Sequence, residues 1–353
     1  MKLVIFGLSI SSSWGNGHAT LWRGLCRALA GRGHQIVFYE RDVPYYSAHR
    51  DLTEIPGGEI VFYSDWEEAL HSARRRLAEA DVGIVTSYCP DGIAATEAVL
   101  SSPARLRVFY DLDTPVTLER LRNGQPVSYL GPRGLRDFDL ALSYTGGAAL
   151  TALKTMLGAR RVATLYGSVD PAVHFPVPAN ERFLCDLSYL GTYAEDRQAA
   201  LESLFIELAR RLPQHRFLIG GAQYPDGFPW TENMFFARHL PVSEHAAFYC
   251  SSKLTLNVTR RAMAEMGYCP SGRLFEAAVC GSPILSDWWE GLDQFFTPGE
   301  EILIARTTEE ALQALETPTE ELNRIARRAR ERALDEHSAE RRARDLEDIL
   351  CGE

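Results

Sequence analysis

One segment of the sequence has an arginine, a glutamate and small residues at a spacing suited to binding an anion. It is the range Pro270–Glu276, and Gly281–Pro283 and an apolar run follow it. If a helix begins at Gly272, its free backbone N–H groups and the Arg273 side chain can hold a phosphate, with Glu276 one turn later on the same face. An arginine in the first turn opposes the helix dipole, which favours a bound anion there. The segment predicts a diphosphate site, and surface salt bridges are the structural alternative.

Other small and polar residues of the second half follow predicted strands. A glycine-containing turn follows one such strand, a basic residue lies at the start of the next helix, and an amide and an arginine follow a later strand. These residues are Gly191, Thr192, Tyr193, Arg197, Asn257 and Arg260. At the carboxyl ends of parallel strands they would complete a nucleotide-binding site.

The loop Gly15–His18 follows the first predicted strand and begins a helix. Backbone N–H groups at Gly17 would suit an anion, and His18 could orient a hydroxyl or act as a base. The loop is not a GxGxxG fingerprint, and the nearest acidic residue after the second strand, Glu40, does not clearly occupy the dinucleotide position. An ordinary strand–helix turn is the alternative.

Two carboxylates, Asp111 and Asp113, come at the end of the fifth predicted strand. This edge of an open α/β sheet binds ligands, so either could act as a general base or bind a substrate hydroxyl. Helix capping before Pro115 is the alternative. An Asp-x-Asp pair also resembles a metal motif, but no further ligand cluster accompanies it, so we predict no metal site.

Runs rich in β-branched and aromatic residues alternate with helical periodicity, which predicts an α/β fold with parallel sheets covered by helices. The predicted strands of the first half are Leu3–Gly7, Gln35–Tyr39, Ile60–Tyr63, Val82–Thr86, Leu106–Tyr110, Leu140–Ser143 and Val162–Leu165. In the second half they are Leu187–Gly191, Phe217–Gly220, Leu254–Val258 and Pro283–Ser286, with helices over Arg197–Leu212, Leu274–Cys280 and Glu320–Leu350. With the strand order 3-2-1-4-5, His18 and the two aspartates would share one edge of the first sheet.

The segment Val169–Pro178 separates the two series and contains three prolines, which favour an extended connector and end any helix. The chain of 353 residues suits two domains at about 150 residues each. We therefore predict domains over residues 1–170 and 171–330.

The charge and cysteine content exclude several classes of protein. The formal net charge is −10, and the short arginine clusters lie in charge-mixed helical stretches, so we expect no nucleic-acid partner. Seven scattered cysteines without a CxxC pair favour free thiols in a reducing compartment, the cytoplasm. No apolar stretch approaches the roughly 20 residues of a membrane span.

Several of these motifs together resemble the GT-B glycosyltransferases, in which two Rossmann-like domains face each other across a cleft. The run Phe275–Asp287 resembles the donor-site helix and strand of the retaining, family-4-type enzymes. Leu165–Asp170 with Phe175-Pro176 resembles their interdomain stretch. The closer resemblance, carried by Ser188–Arg197 and Pro270–Asp287, is to the CgeB-like, spore-maturation-protein group. It implies that residues 331–353 form a C-terminal helix that packs on the N-terminal domain.

The resemblance implies a role for each matching donor-side residue. Glu276 would bind the ribose hydroxyls, Arg197 and Arg273 the diphosphate, while Gly191 and Thr192 would allow close backbone approach. On the other side, Gly17 would line the phosphates and His18 would face the donor sugar or the acceptor. One position departs from the family: Tyr268 stands where the first glutamate of an E-x7-E pattern is expected. The retaining or inverting outcome is therefore left open.

These observations predict a transferase that moves a sugar from a UDP- or dTDP-sugar to an acceptor hydroxyl, with neither a metal nor a cofactor. Two alternatives stay open. A sugar-nucleotide epimerase shares the architecture and would use paired carboxylates and a histidine, for which Asp111, Asp113 and His18 are available. A non-catalytic two-domain ligand-binding protein is the other. The acceptor and the oligomeric state are not predicted.

Overall fold

The structure is a computed structural model that describes residues 1–352. Within this range thirteen strands form two separate parallel sheets, one of seven strands and one of six. The chain divides into two compact units. The N-terminal unit comprises Met1–Gly167 and the last helix, from Ala339, and the central unit comprises Ser168–Ser338.

The sheet of the N-terminal unit contains the strands β1 (Lys2–Gly7), β2 (Gln35–Arg41), β3 (Gly58–Tyr63), β4 (Val82–Thr86), β5 (Leu106–Asp111), β6 (Leu140–Ser143) and β7 (Val162–Thr164). Their order is β3-β2-β1-β4-β5-β6-β7, which confirms the predicted 3-2-1-4-5 arrangement. The central strand β1 is an apolar run with no exposed surface from Leu3 to Phe6, as a parallel sheet covered on both faces requires. The helices of this unit are α1 (Gly17–Gly31), α2 (Pro44–Ser47), α3 (Trp66–Ala78), α4 (Gly92–Leu100), α5 (Thr114–Arg122), α6 (Ala148–Leu157) and α14 (Ala339–Cys351).

The sheet of the central unit contains the strands β8 (Cys185–Leu190), β9 (Phe217–Gly221), β10 (Met234–Arg238), β11 (Ser252–Asn257), β12 (Ile284–Ser286) and β13 (Leu303–Ile304). Their order is β10-β9-β8-β11-β12-β13. Leu187, Ile219, Leu254 and Leu285 place one buried aliphatic side chain from each inner strand in the same core. The helices are α7 (Gln198–Leu201), α8 (Glu207–Arg211), α9 (Val242–Cys250), α10 (Arg261–Met266), α11 (Gly272–Val279), α12 (Thr308–Glu316) and α13 (Thr319–Glu336), and a π-helical turn over Glu202–Ile206 joins α7 to α8.

Every predicted strand is present, with its ends displaced by at most two residues. Two short edge-side strands, β10 and β13, are not apparent from the sequence. Both are edge strands of the second sheet. The buried and exposed residues of β10 do not alternate, so β10 lacks the period of two that identifies a strand.

The continuous helix predicted over Glu320–Leu350 is wrong, and so is a single helix over residues 331–353. The chain breaks between α13 and α14 at His337 and Ser338. The His337 ring is buried and stacks on Phe275 at a centroid distance of 4.5 Å. Ser338 forms a parallel bridge with Val169, whose N–H donates to the His337 carbonyl at 3.0 Å. At the break the His337 carbonyl therefore accepts a hydrogen bond from another segment of the chain instead of from the next helical turn. Beyond it, α14 packs on α1 within the N-terminal unit.

Candidate functional site

The Arg273 side chain lies at the N-terminus of α11, where β8 and β11 end. Its Nε donates to the carbonyl of Leu190, the last residue of β8, and its Nη1 donates to Asn257 Oδ1 at 2.8 Å. Within residues 1–352 no carboxylate forms an ion pair with this guanidinium. The salt-bridge alternative is therefore not realised at Arg273, and its charge is held in place by neutral oxygens beside the free N–H groups of the helix.

The turn after β8 brings its backbone close to this arginine. A Cβ atom added to Gly191 would lie 2.9 Å from Arg273 Nη2 and 2.8 Å from the Tyr189 hydroxyl, so the position has no room for a side chain. The Gly191 carbonyl accepts a hydrogen bond from Tyr224 at 3.1 Å, and the Tyr193 N–H donates to Ala222 at 2.9 Å. Hydrogen bonds to Ala222 and Tyr224 thus hold the turn on the segment that follows β9.

The other two predicted arginines differ in their contacts. Arg197 Nη1 donates to the Thr192 carbonyl at 3.1 Å, and its buried Nε has no hydrogen-bond partner in the described chain. Arg260 forms an ion pair with Asp196 at 3.2 Å, so the salt-bridge alternative is realised there. Arg197 therefore lies beside the Gly191–Thr192 turn, whereas the charge of Arg260 is paired with Asp196.

Glu276 lies one turn after Arg273 on α11, with 17% of its side chain exposed. Tyr249 donates to its Oε2 atom at 3.2 Å. The same oxygen lies 3.9 Å from His174 Nε2 and 3.8 Å from His245 Nδ1. Burial by itself would raise the pKa of Glu276, but His174, His245 and Arg273 together lower it to about 2. The side chain is therefore an ionised acceptor for hydroxyl groups.

Sequence reasoning did not identify His174 and His245. The first lies in the proline-rich connector and the second on α9. His174 and His245 are 71 positions apart along the chain, and His245 and Glu276 are 31 apart. Their position on α9 and in the connector, both packed beside α11, becomes evident only from the fold. With Glu276 they form the one group of three potential metal-ligating side chains found in residues 1–352.

In the N-terminal unit, His18 lies in the first turn of α1. The Asn16 side chain caps this helix by accepting a hydrogen bond from the His18 N–H at 3.2 Å. His18 Nε2 lies 3.7 Å from Asp113 Oδ2, and its ring centroid lies 5.8 Å from that of Tyr88. A Cβ atom added to Gly17 would meet no atom of the described residues within 4 Å, so this turn is open.

The two aspartates have separate roles in the structure. Asp111 is fully buried, and its Oδ1 accepts hydrogen bonds from the Asp113 N–H and the Thr117 hydroxyl, both at 3.1 Å. Its Oδ2 has no hydrogen-bond partner within residues 1–352, and burial raises the pKa of the carboxyl to about 7. The Asp111 carboxyl lies inside the unit, and its role toward a ligand stays a prediction. The Asp113 side chain makes no capping hydrogen bond to α5 and is oriented toward His18.

Glu40, near the end of β2, has a structural role that the sequence does not indicate. It is fully buried and accepts four hydrogen bonds from the loop after β1, two from backbone N–H groups and two from hydroxyls. The donors are Ile10 N at 2.8 Å, Ser11 N at 2.9 Å, Ser9 Oγ at 3.0 Å and Ser11 Oγ at 2.5 Å. Glu40 therefore fixes the protein's own loop ahead of His18, where a dinucleotide-binding acid would contact a ribose.

Tyr268 stands where the resemblance implies the first glutamate of an E-x7-E pattern, and its backbone conformation is unusual. Tyr268 adopts a left-handed backbone conformation with φ of +47°, and its N–H donates to the Glu290 carbonyl at 2.7 Å. A non-glycine residue in this region is uncommon and is held there by its surroundings.

The two sheets and their topology define the class of fold as GT-B, two Rossmann-like α/β domains. Residues 197–348 match the sequence profile of a family described as glycosyl transferase-like. No functionally curated protein matches the sequence. The CgeB-like subgroup stays a prediction.

Solved GT-B structures resemble the whole chain. Sucrose-phosphate synthase from Thermosynechococcus elongatus superposes with a TM-score of 0.71 at 13% identity, over 100% of this chain and 99% of that one. HepE from Anabaena, in complex with UDP and glucose, gives 0.69 at 14% identity and full coverage of both chains. An α-glucosyltransferase in complex with UDP gives 0.69 at 11% identity, over 99% of this chain and 100% of that one. These similarities confirm the predicted fold. In the described chain, no helix has the length and apolar character needed to cross a membrane.

Proposed function

We propose that this protein is a glycosyltransferase that moves a sugar from a nucleoside-diphosphate sugar to an acceptor hydroxyl. The observation that carries the proposal is the N-terminus of α11. There Arg273 forms no ion pair with a carboxylate of residues 1–352, and the ionised Glu276 lies one turn away. The family match of residues 197–348 and the UDP-bound GT-B structures support the same reaction.

In the proposed donor site, Glu276 accepts hydrogen bonds from the two ribose hydroxyls. The guanidinium groups of Arg273 and Arg197 and the first N–H groups of α11 bind the diphosphate, with the Gly191–Thr192 turn beside it. As the bond between the anomeric carbon and the diphosphate breaks, negative charge grows on the leaving oxygen. Fixed cations and helix N–H groups stabilise that charge more than they stabilise the bound donor. We propose that this is sufficient without a metal ion.

In the proposed acceptor site, His18 positions the acceptor hydroxyl and takes its proton as the oxygen bonds to the anomeric carbon. Asp113, 3.7 Å from His18 Nε2, stabilises the imidazolium that forms. Asp111 serves instead as a positioning residue, because it holds the Asp113 N–H.

The proposal is tested by incubating the protein with UDP- and dTDP-sugars without an acceptor and following the products. Slow hydrolysis in the wild type, reduced in Arg273→Ala, is the expected result, since water replaces the missing acceptor. Interconversion of sugars would instead support an epimerase. Absence of both binding and turnover across the panel would refute a nucleotide-sugar enzyme.

The acceptor site is tested separately with His18→Gln and Asp113→Asn. Removing a general base lowers turnover by about 10²–10⁴-fold, so we expect transfer to fall by at least about tenfold in His18→Gln while donor affinity is retained. His71→Gln, an exposed histidine on α3, is the matched control. Wild-type transfer rates in both site variants would exclude this pair from the reaction.

A further inference from the structure

Three potential metal ligands surround a common point in the central unit. They are His174 in the connector, His245 on α9 and Glu276 on α11, and their ligand atoms all lie within 4.8 Å of one another. Two of the separations, from Glu276 Oε2 to the histidine nitrogens, are 3.9 Å and 3.8 Å. These distances are too long for hydrogen bonds, so neither histidine nitrogen is hydrogen-bonded to the carboxylate.

The histidine nitrogens are buried and lack partners. His174 has no exposed surface, and neither of its ring nitrogens has a hydrogen-bond partner in the described chain. The buried Nδ1 of His245 lacks one as well. Buried polar side chains are nearly always satisfied in folded proteins, so these unpartnered nitrogens of two histidines indicate a ligand that supplies missing bonds.

The geometry suits a small divalent transition metal. Zn²⁺ binds histidine nitrogen and carboxylate oxygen at about 2.0–2.2 Å, so two ligands of one ion lie no more than about 4.4 Å apart. The two separations from Glu276 Oε2, 3.9 Å and 3.8 Å, satisfy this limit, and the histidine nitrogens lie within 4.8 Å of each other. Two imidazoles and one carboxylate favour Zn²⁺ over Mg²⁺ or Ca²⁺, which prefer oxygen ligands.

The surroundings also support metal binding. Tyr249 donates to Glu276 Oε2 at 3.2 Å and so orients the carboxylate, as outer-shell partners of metal ligands do. Three protein ligands leave a fourth position of the tetrahedron open.

We propose that His174, His245 and Glu276 bind one Zn²⁺ ion when the nucleotide is absent, and that Zn²⁺ and nucleotide exclude each other at Glu276. The metal site itself is independent of the proposed function, whereas the exclusion rests on it. The ion occupies the carboxylate that would otherwise accept the ribose hydroxyls. Zn²⁺ would therefore inhibit the enzyme rather than assist it.

The metal site is tested by calorimetric titration of Zn²⁺ into the chelator-treated full chain without nucleotide. We expect one equivalent to bind, with affinity reduced more than about 100-fold in His174→Gln and in His245→Gln, and about tenfold in Tyr249→Phe. The control is His71→Gln. Circular dichroism checks folding, and His245, with 15% of its side chain exposed, provides a second variant if the fully buried His174 is required for stability. Absence of Zn²⁺ binding in the wild type, or unchanged affinity in folded His245→Gln, overturns the metal site.

The exclusion is tested by titrating UDP with and without one equivalent of Zn²⁺. We expect Zn²⁺ to weaken UDP binding at least about tenfold in the wild type and to have little effect in His245→Gln, which keeps Glu276 but loses the ion. This comparison corrects for chelation of Zn²⁺ by UDP in solution. Equal effects of Zn²⁺ on both proteins overturn the exclusion. Zn²⁺ binding by a protein that binds no UDP would leave the metal site standing and refute the proposed function.

Discussion

Asp111 and Asp113 are separated by one residue and end in different environments. The first is the last residue of β5 and is buried, while the second follows the strand and reaches toward His18. The sequence predicts that both face a ligand, because the burial of a side chain at a strand end depends on tertiary packing that the sequence does not show. Arg273 and Glu276 were predictable because one helical turn relates them. His174 and His245 were not, since only tertiary packing brings them to Glu276.

Glu276→Ala should weaken UDP binding by about 1–3 kcal/mol, since charge-assisted hydrogen bonds to two hydroxyls are lost. Isothermal titration calorimetry on the folded variant measures this. Glu316→Ala, which removes an exposed carboxylate at the end of α12, should leave the affinity unchanged. Equal affinities in wild type and Glu276→Ala would remove Glu276 from the ribose site.

Asp111→Asn should make the free energy of unfolding less dependent on pH. Burial raises the pKa of Asp111 in the folded protein to about 7, well above the ordinary value of an aspartate. The folded state therefore favours the protonated carboxyl, and the stability that this group contributes is lost as the pH rises from about 4 through 7. We expect the variant to gain stability relative to the wild type between pH 5 and pH 8, measured by urea unfolding. Glu54→Gln, at an exposed position, is the control. If the free energy of unfolding of Asp111→Asn differs from that of the wild type by the same amount at pH 5 and pH 8, Asp111 is not buried in its protonated form.

At the scale of the element, strands were easier to predict than helix breaks. The inner strands are short aliphatic runs with strong β propensity, so their positions follow from the sequence. The stretch 320–350 is rich in Ala, Arg, Glu and Leu and contains no glycine or proline, so its periodicity predicts one helix. The break at His337 depends on its stacking against Phe275, a contact that local sequence does not encode.

The loop between β1 and α1 is held by one side chain, Glu40, and a substitution there can test how much it contributes to stability. Glu40→Ala removes the acceptor of four hydrogen bonds from the loop between β1 and α1 and leaves buried donors unsatisfied. We expect a loss of about 1–3 kcal/mol in the free energy of unfolding, measured with urea. Glu59→Ala removes an exposed carboxylate of β3 that pairs with Arg76 and should cost less than about 1 kcal/mol. Equal losses in the two variants would refute the anchoring role of Glu40.

At the scale of the molecule, the end of the chain is attached to its beginning through α14. Glu347 on this helix accepts hydrogen bonds from Arg32 Nε at 2.8 Å and from His34 at 2.5 Å, at the C-terminal end of α1. The hydrogen bonds from Arg32, together with His34, lower the pKa of Glu347 to about 2 despite the opposing effect of burial. The stabilisation is therefore present above about pH 4.5 and is lost as the pH falls toward 2.

Glu347→Gln should lower the free energy of unfolding at pH 7 and reduce its decline on acidification between pH 5 and pH 2. Thermal unfolding across this range measures the effect. Glu340→Gln changes an exposed carboxylate on the same helix and should retain the wild-type dependence. If both variants titrate alike, α14 is not held by this charge cluster.

The bridge between Val169 and Ser338 has a consequence for how such chains can be exchanged. Both ends of the central unit lie side by side, joined by this bridge and by the hydrogen bond from Val169 to His337. The residues proposed to bind the donor all lie between these ends, whereas His18 and Asp113 lie outside them. The central unit is therefore inserted into the N-terminal unit, and its two ends are adjacent. Recombination at these two neighbouring positions could replace the whole central unit. Donor specificity could then change while the acceptor residues are inherited intact.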